Sequence, residues 1–377
     1  MPAIRVQQVT IRRQRRTAAH ATGFRWRRCR NADLQEEAVP ETHLPNKFKV
    51  ACVGRAFGPE AQALIRDVVP AEFEISFEID PGEKCHPLIR ESDFILTTAP
   101  ITEKLIRESP RLRLIHKWGI GVDKIDLAAA EREGVPVAIT AGSNAVVVAE
   151  HTIMLIIAAL RQLSLADRSM REGKWIYTEL RPKCRKLSGK TVGILGFGNI
   201  GKNVAKRLAG FDVEIIYHDP FRSPPEIEKQ FNARFVSFDE LMEQSDILTL
   251  HCPGGAANHR IINAAAIARM KRGSVLVNAA RGDVVDEDAV VAALESGQLL
   301  AAGLDAFEPE PLPPTSKLTK LENVVLTPHT AGSVLDNVVN VALHAFNNML
   351  RLARGEEIPA SDIVVRPARS RDFAKAS

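Results

Sequence analysis

The chain has 377 residues, of which 45% are hydrophobic and 25% are charged, and its formal net charge is +4. This composition excludes a disordered or fibrous protein and leaves length for about two domains, each with its own core. The longest apolar stretch, residues 152–160, is far shorter than the ~20 residues that cross a membrane, so we expect no membrane partner. The cysteines are scattered singly, which argues against disulfides and a metal site and favours the cytoplasm; they are Cys29, Cys52, Cys85, Cys184 and Cys252.

The positive charge is concentrated at the beginning of the chain. Residues 1–46 contain nine arginines and four acidic residues, a balance of +5, so the remaining residues sum to −1. Because apolar periodicity is weak there, we predict that residues 1–47 form a disordered basic extension. No hydrophobic segment follows "RRQRR", so a secretory signal is not predicted. A transit peptide or a nucleic-acid-binding arm is the alternative, although we expect no nucleic-acid partner.

From residue 49, short β-branched runs alternate with helical stretches: "KVACVG", "FEISFEI", "DFILTT", "LRLIHKW" and "PVAITAG". Strands that are buried on both faces and joined by helices indicate a parallel sheet. The next segment, "SNAVVVAEHTIMLIIAALRQL", predicts one long helix that Ser143 or Asn144 can cap. A polar stretch at 164–188 follows this helix.

A second series of strands then begins: "TVGILGF", "EIIYHDP", "ARFVSF", "ILTLHCP", "SVLVNAA", "LAAGLDAF" and "NVVLTPH". Seven strands in one unit predict a second, larger doubly wound α/β sheet. The last apolar segment, "NVVNVALHAFNNMLRLARGE", predicts a helix that returns to the first domain.

A glycine pattern between the first of these strands and the following helix predicts a dinucleotide site. Gly196, Gly198 and Gly201 allow a tight turn and a close approach of a pyrophosphate to the helix N-terminus. Asp219 ends the next strand, where a carboxylate can accept hydrogen bonds from an adenosine ribose. That carboxylate would repel a 2′-phosphate, so we predict NAD rather than NADP. Arg222 is the feature that opposes this choice, and a purely structural turn is the alternative.

Three polar side chains follow strand ends further along the chain: Arg281, Glu310 and His329. In a doubly wound sheet such ends share the edge where ligands bind. An unpaired guanidinium is costly to bury, so Arg281 requires an anion. The simplest alternative is an arginine that lies in solvent or pairs with Asp283.

These motifs together resemble those of the D-isomer-specific 2-hydroxyacid dehydrogenases. "KWGIGVDKIDL", "GILGFGNIGK", "HDP", "VNAARGDVVDEDAV", "GLDAFEPEP" and "TPHTAG" stand in the family order between about residues 49 and 365. The resemblance implies that Arg281 binds the substrate carboxylate and polarises the carbonyl, as a planar guanidinium can. It implies that His329 is the general acid and base, and that Glu310 orients its ring.

The same comparison of motifs implies further contacts. The glycine-rich loop would bind substrate through Lys117, Ile120 and Gly121, and five more residues would contact NAD. Where the family usually has "PLTP" after "HCP", this chain has "GGAAN". The threonine hydroxyl of the family's segment is missing, so we do not expect a side-chain contact with NAD from this loop. The five additional cofactor residues are Asn199, Ile200, Cys252, Ala279 and Asp305.

The resemblance also implies the domain organisation. A flavodoxin-like substrate domain would comprise residues 48–142 plus 334–365, and a Rossmann NAD-binding domain would be inserted at 143–333. The active site would lie in the cleft between the two domains, and the protein would be a homodimer. We therefore expect an enzyme that transfers a hydride between NAD(H) and a small D-2-hydroxy acid or 2-oxo acid.

Other functions remain open at this stage. Lys117 would suit the phosphate of a D-3-phosphoglycerate dehydrogenase, but the threonines of "ILTTAP" stand where such enzymes tend to carry an arginine. Glyoxylate or hydroxypyruvate reduction and phosphite oxidation are further enzymatic alternatives. From another class, an NAD-sensing corepressor has the same fold and can retain the same polar residues.

Overall fold

The computed structural model describes residues 47–80 and 82–371. The prediction of a disordered extension at 1–47 lies outside these residues, apart from residue 47. The strands are β1 Phe48–Val53, β2 Phe73–Glu78, β3 Phe94–Thr97, β4 Leu114–Lys117, β5 Val137–Ala138, β6 Thr191–Leu195, β7 Glu214–His218, β8 Ala233–Phe235, β9 Ile247–Leu250, β10 Ser274–Asn278, β11 Leu299–Leu304, β12 Val324–Leu326 and β13 Ile363–Val365.

Helices connect most of these strands. The helices are α1 Pro59–Arg66, α2 His86–Arg90, α3 Glu103–Arg107, α4 Leu127–Arg132, α5 Ala145–Leu160, α6 Leu163–Arg171, α7 Tyr177–Leu180, α8 Asn199–Leu208, α9 Pro225–Phe231, α10 Phe238–Gln244, α11 Ala264–Arg269, α12 Glu287–Ser296 and α13 Val338–Ala353.

The first sheet has the strand order β13-β5-β4-β3-β1-β2. The five predicted strands are present and pair in parallel. The sixth strand, β13, comes from the C-terminal segment and pairs antiparallel to β5, which the sequence analysis did not predict. Helix α13 packs on the same body, where Phe346 and Met349 join the core formed by Val50 and Phe94.

The second sheet has the order β12-β11-β10-β9-β6-β7-β8, and its neighbouring strands are all parallel. The seven predicted strands are therefore confirmed. Strands β9 and β10 are buried along their whole length because helices cover both faces of the sheet. Parallel pairing brings the carboxyl ends of all seven strands to one edge, where the predicted polar residues follow.

The prediction of one long helix at 143–163 was wrong. Helix α5 ends at Leu160, Gln162 adopts the left-handed conformation with φ +53°, and α6 begins at Leu163. The amide of Gln162 folds back and donates to the carbonyl of Ala159 at 3.0 Å, which replaces a helical continuation. The stretch predicted as simply polar, 164–188, contains most of α6 and all of α7. Residue 144 precedes α5 without a side-chain capping bond, so the predicted cap was also wrong.

In the part of the chain that the structure describes, no single helix is long and apolar enough to cross a membrane. Helices α5 and α6 reach that length and composition only when they are joined across a bend of 67°.

Candidate active site

The glycine loop between β6 and α8 has the geometry of a dinucleotide-binding turn. Gly196 has φ +93°, and a Cβ there would lie 2.7 Å from the backbone nitrogen of Cys252. A Cβ on Gly201 would overlap the carbonyl oxygen of Gly196. Gly198, which precedes α8, differs because a Cβ there would meet no atom within 4 Å. Packing thus explains the first and third glycines, while the second faces open space where a pyrophosphate can approach the helix N-terminus.

Asp219 follows β7 and lies beside this loop. One carboxylate oxygen accepts from the backbone N–H of Phe197 at 2.8 Å, and the other accepts from that of Phe221 at 3.0 Å. The remaining lone pairs of a carboxylate can still accept from a ribose diol. Asn199 and Ile200 begin α8 at the same turn.

Arg222, whose positive charge could favour NADP, forms an ion pair with Glu228. Its Nε donates to Glu228 Oε1 at 2.8 Å and its Nη2 donates to Glu228 Oε2 at 3.0 Å. This bidentate pair occupies the planar fork of the guanidinium.

Arg281 follows β10 in a turn that the chain itself holds. Asn278 donates from its amide to the carbonyl of Arg281 at 2.8 Å and accepts from the N–H of Ala280 at 3.0 Å. Nη1 of Arg281 donates to the carbonyl of Ala280 at 2.7 Å. The alternative pairing with Asp283 is not observed, since the ion pair of Arg281 is with Asp123, and the Asp283 carboxylate accepts from the N–H of Gly255 at 2.7 Å.

The guanidinium of Arg281 instead reaches across to the loop after β4. Its Nε donates to Asp123 Oδ2 at 3.1 Å. Its Nη2 lies so close to Gly121 that a Cβ there would overlap it. The start of this loop is tied down at Gly119, whose N–H donates to Thr140 Oγ1 at 3.1 Å. The structure therefore brings Arg281 to the predicted substrate loop.

Lys117, at the end of β4, adds a second positive charge near this loop. Burial lowers its pKa to about 8, and the charges of Arg281 and Lys124 act in the same direction while Asp123 opposes them. For Asp123, burial favours the neutral form, but the charge and hydrogen bond of Arg281 bring its pKa below the ordinary value. Ile120 lies in the same loop, between β4 and α4.

His329 and Glu310 form a close pair. His329 Nδ1 lies 2.7 Å from Glu310 Oε1, and because an ionised carboxylate only accepts, Nδ1 carries the hydrogen of this bond. The other ring nitrogen, Nε2, is then the one left for proton transfer. Burial opposes ionisation of Glu310, but the hydrogen bond and charge of His329 lower the pKa of this carboxyl.

The segment around His329 is held by Asp305. His329 has φ +54°, a conformation that non-glycine residues seldom adopt. Asp305 is buried and accepts from Thr327 Oγ1 at 2.6 Å, from Thr330 N at 2.9 Å and from Ala331 N at 2.9 Å. These bonds fix the backbone on both sides of the histidine. The predicted contact between Asp305 and NAD stays a prediction beside this observed role.

The sequence analysis missed two residues of the site. Asp123 was recognisable only as an acid two positions after the glycine loop, in "GVDKID". Asn278 was recognisable as an amide that ends an otherwise apolar strand. Of the predicted cofactor residues, Cys252 contacts the glycine turn through its backbone, and Ala279 follows β10 beside Arg281. Among the described residues, no group of three or more acidic, histidine or cysteine side chains is placed to hold a metal ion.

A glycine turn, a carboxylate at a strand end, and Arg, Glu and His side chains at the same edge of a parallel sheet are together typical of a dinucleotide-dependent oxidoreductase. Residues 153–331 match the family model of the D-isomer specific 2-hydroxyacid dehydrogenase NAD-binding domain. The chain belongs to the D-isomer-specific 2-hydroxyacid dehydrogenases, and its cofactor is NAD. The predicted family, fold class and cofactor are therefore confirmed.

Individual relatives support this assignment. D-3-phosphoglycerate dehydrogenase of Archaeoglobus fulgidus is 36% identical over 299 residues, which are 78% of this chain and 56% of that protein. Glyoxylate reductase of Korarchaeum cryptofilum is 38% identical over 266 residues, which are 70% of this chain and 80% of that protein. The NAD complex of Staphylococcus aureus formate dehydrogenase superposes with a TM-score of 0.75 at 29% identity, over 85% of this chain and 100% of that one.

Proposed function

We propose that this chain interconverts a small D-2-hydroxy acid and its 2-oxo acid, with Arg281, Glu310 and His329 as catalytic residues. The observation that carries the proposal is the 2.7 Å distance between His329 Nδ1 and Glu310 Oε1. This pair lies at the same edge of the second sheet as the glycine turn and Arg281. We also propose that the body around the first sheet, 48–142 plus 334–365, binds substrate, and that 143–333 binds NAD.

Each catalytic residue has a distinct task in this proposal. When NADH is bound, it supplies a hydride to the carbonyl carbon of the substrate. Arg281 holds the carboxylate and polarises the carbonyl through its N–H groups. His329 donates the proton on Nε2 to the carbonyl oxygen as that oxygen gains negative charge. Glu310 stabilises the imidazolium before transfer, and in oxidation the neutral ring takes the proton back.

The decisive experiment follows NADH oxidation at 340 nm with a panel of 2-oxo acids. Glyoxylate belongs in the panel because of the glyoxylate reductase named above, and hydroxypyruvate belongs there because its reduction is one of the alternatives that the sequence left open. A phosphorylated three-carbon 2-oxo acid also belongs there, since Lys117 beside Arg281 favours a substrate with a second anionic group. Turnover with none of these acids, combined with tight NADH binding, would support the corepressor alternative instead.

We propose that Asp219 accepts hydrogen bonds from the adenosine ribose, with Gly196, Gly198, Gly201, Asn199, Ile200, Cys252, Ala279 and Asp305 as the other cofactor contacts. Replacing Asp219 by serine removes the charge that repels a 2′-phosphate. We therefore expect Asp219→Ser to raise the ratio of kcat/KM for NADPH to that for NADH. An unchanged ratio would place the carboxylate away from the ribose.

Glu310→Gln tests the acid–base pair through the pH dependence of reduction. Reduction requires protonated His329, and the carboxylate beside Nδ1 stabilises that form. The variant loses this charge, so the alkaline limit of 2-oxo acid reduction should move to lower pH. The measurement is kcat/KM against pH for both proteins. A limit that stays in place would remove Glu310 from the proposal.

We propose a homodimer that forms through the surface of α5 to α7. Several large apolar side chains are exposed there, among them Trp175 at 78%, and an exposed apolar patch of this kind is typical of an interface. Light scattering should give twice the mass of 41.4 kDa, and a monomer would refute the proposal. The other exposed large apolar side chains of this α5 to α7 surface are Val146, Met154, Ile157, Leu163, Met170 and Tyr177.

A cytoplasmic location and the lack of nucleic-acid and membrane partners stay predictions.

A further inference from the structure

The turn between β7 and α9 carries two opposite charges that bear on the choice between NAD and NADP. Asp219 begins the turn and Arg222 lies three residues later. A 2′-phosphate carries negative charge and is best bound by a planar guanidinium. Arg222 is therefore the residue of this turn that could favour NADPH, and what binds it becomes important for selectivity.

Arg222 is held in the described structure by α9. The two N–H groups of its fork pair with the two oxygens of Glu228, at 2.8 and 3.0 Å. Its guanidinium carbon also lies 5.6 Å from the ring centroid of Phe235, within the range of a cation–π contact. Both contacts draw the guanidinium toward β8 and α9.

Glu228 is a firm anchor for this pair. Its Oε1 also accepts from the hydroxyl of Tyr217 at 2.8 Å, and that hydroxyl accepts from the backbone N–H of Ser223 at 2.9 Å. Tyr217 is fully buried in β7. The Glu228 side chain is 14% exposed, whereas that of Arg222 is 63% exposed. The position of the carboxylate is thus set by the body, and the arginine conforms to it.

We propose that Glu228 determines cofactor selectivity by holding Arg222 away from the ribose 2′ position and neutralising its charge. This inference rests on the proposed place of Asp219 at the ribose. Selectivity for NAD then depends on the negative charge of Asp219 and on Glu228, which prevents the positive charge of Arg222 from attracting a 2′-phosphate. Glu228 touches neither ribose nor substrate in this proposal and acts through Arg222.

The test is the full-length Glu228→Gln variant, which keeps the shape of the side chain and removes its charge. Released Arg222 should raise the NADPH-to-NADH ratio of kcat/KM by about five- to tenfold, the range expected for one partly exposed charge-assisted contact. Calorimetry with adenosine 2′,5′-bisphosphate should show a similar gain in affinity without any turnover. Affinity for adenosine 5′-diphosphate, which lacks the 2′-phosphate, should stay unchanged.

Two further variants test whether Arg222 is the residue responsible for the gain in NADPH use. In Glu228→Gln/Arg222→Ala the gain should disappear, and a gain that persists would mean that Arg222 is not responsible. Arg222→Ala alone should leave the ratio unchanged, because the arginine is already sequestered. A fall in NADPH use with this variant would overturn the proposal even if Glu228→Gln fails to fold. Glu214→Gln is the matched control, because it removes the carboxylate that pairs with Arg234 at the other end of β7 and should leave the ratio at the wild-type value.

Failure of the Glu228 proposal can be distinguished from failure of the proposed catalytic function. Binding of the bisphosphate needs no substrate, so a failed catalytic assignment leaves this measurement valid. If Asp219→Ser shifts the ratio but Glu228→Gln shifts neither the ratio nor the affinity for the bisphosphate, the anchor proposal alone is wrong.

Discussion

His329→Gln is expected to lower kcat for 2-oxo acid reduction by about 10²- to 10⁴-fold, the usual contribution of a positioned general acid. Glutamine keeps a polar side chain of similar reach, but it carries no proton that it can give to the carbonyl oxygen at neutral pH. The Nδ1 bond to Glu310 at 2.7 Å directs the ring so that Nε2 is the donor, and the substitution removes that donor.

The dissociation constant of NADH, measured by fluorescence titration, should remain close to that of the wild type. This separates loss of proton transfer from loss of the fold around the histidine, whose φ of +54° is held by the bonds of Asp305. His86→Gln is a matched control, because His86 begins α2 in the body of the first sheet and has no role in the proposed chemistry. Turnover of His329→Gln within about tenfold of the wild type would exclude the histidine as the general acid.

Arg281→Lys is expected to raise KM for the 2-oxo acid and to lower kcat as well. Lysine retains the positive charge but replaces a planar fork by a single ammonium, so it cannot bind a carboxylate bidentately and polarise the carbonyl at once. Loss of one charge-assisted contact costs about 1.5–3 kcal/mol, which corresponds to a fall in kcat/KM of about 10- to 150-fold. Both constants should change, because the arginine contacts ground state and transition state.

Arg269→Lys is the matched control for this substitution. Arg269 pairs with the carboxylates of Asp239 and Glu243 on the exposed surface of the second sheet's body. Its replacement should therefore leave KM and kcat unchanged. Affinity for NADH should be preserved in both variants. If Arg281→Lys changes kcat while KM stays at the wild-type value, the guanidinium does not bind the substrate carboxylate in the ground state.

The sequence by itself determined the features that depend on local patterns. The twelve predicted strands, β1 to β12, follow from β-branched apolar runs, because burial on both faces leaves little room for polar residues. The glycine turn was readable because the spacing of Gly196, Gly198 and Gly201 is local, although the backbone that crowds Gly196 belongs to the distant Cys252. The positions of Arg281, Glu310 and His329 just after strand ends were readable for the same reason, since parallel strands place such residues at one edge.

Only the tertiary structure decided which side chains meet. Arg281 pairs with Asp123, 158 positions away in the chain, because packing of two separate sheets brings their loops together. Gln162 breaks the predicted helix because its amide folds back onto α5, although the apolar pattern runs through that position. Arg222 faces Glu228 because buried Tyr217 fixes the carboxylate. Local patterns set the backbone path, whereas the direction of a charged side chain is set by the nearest partner that folding supplies, and that partner is often distant in sequence.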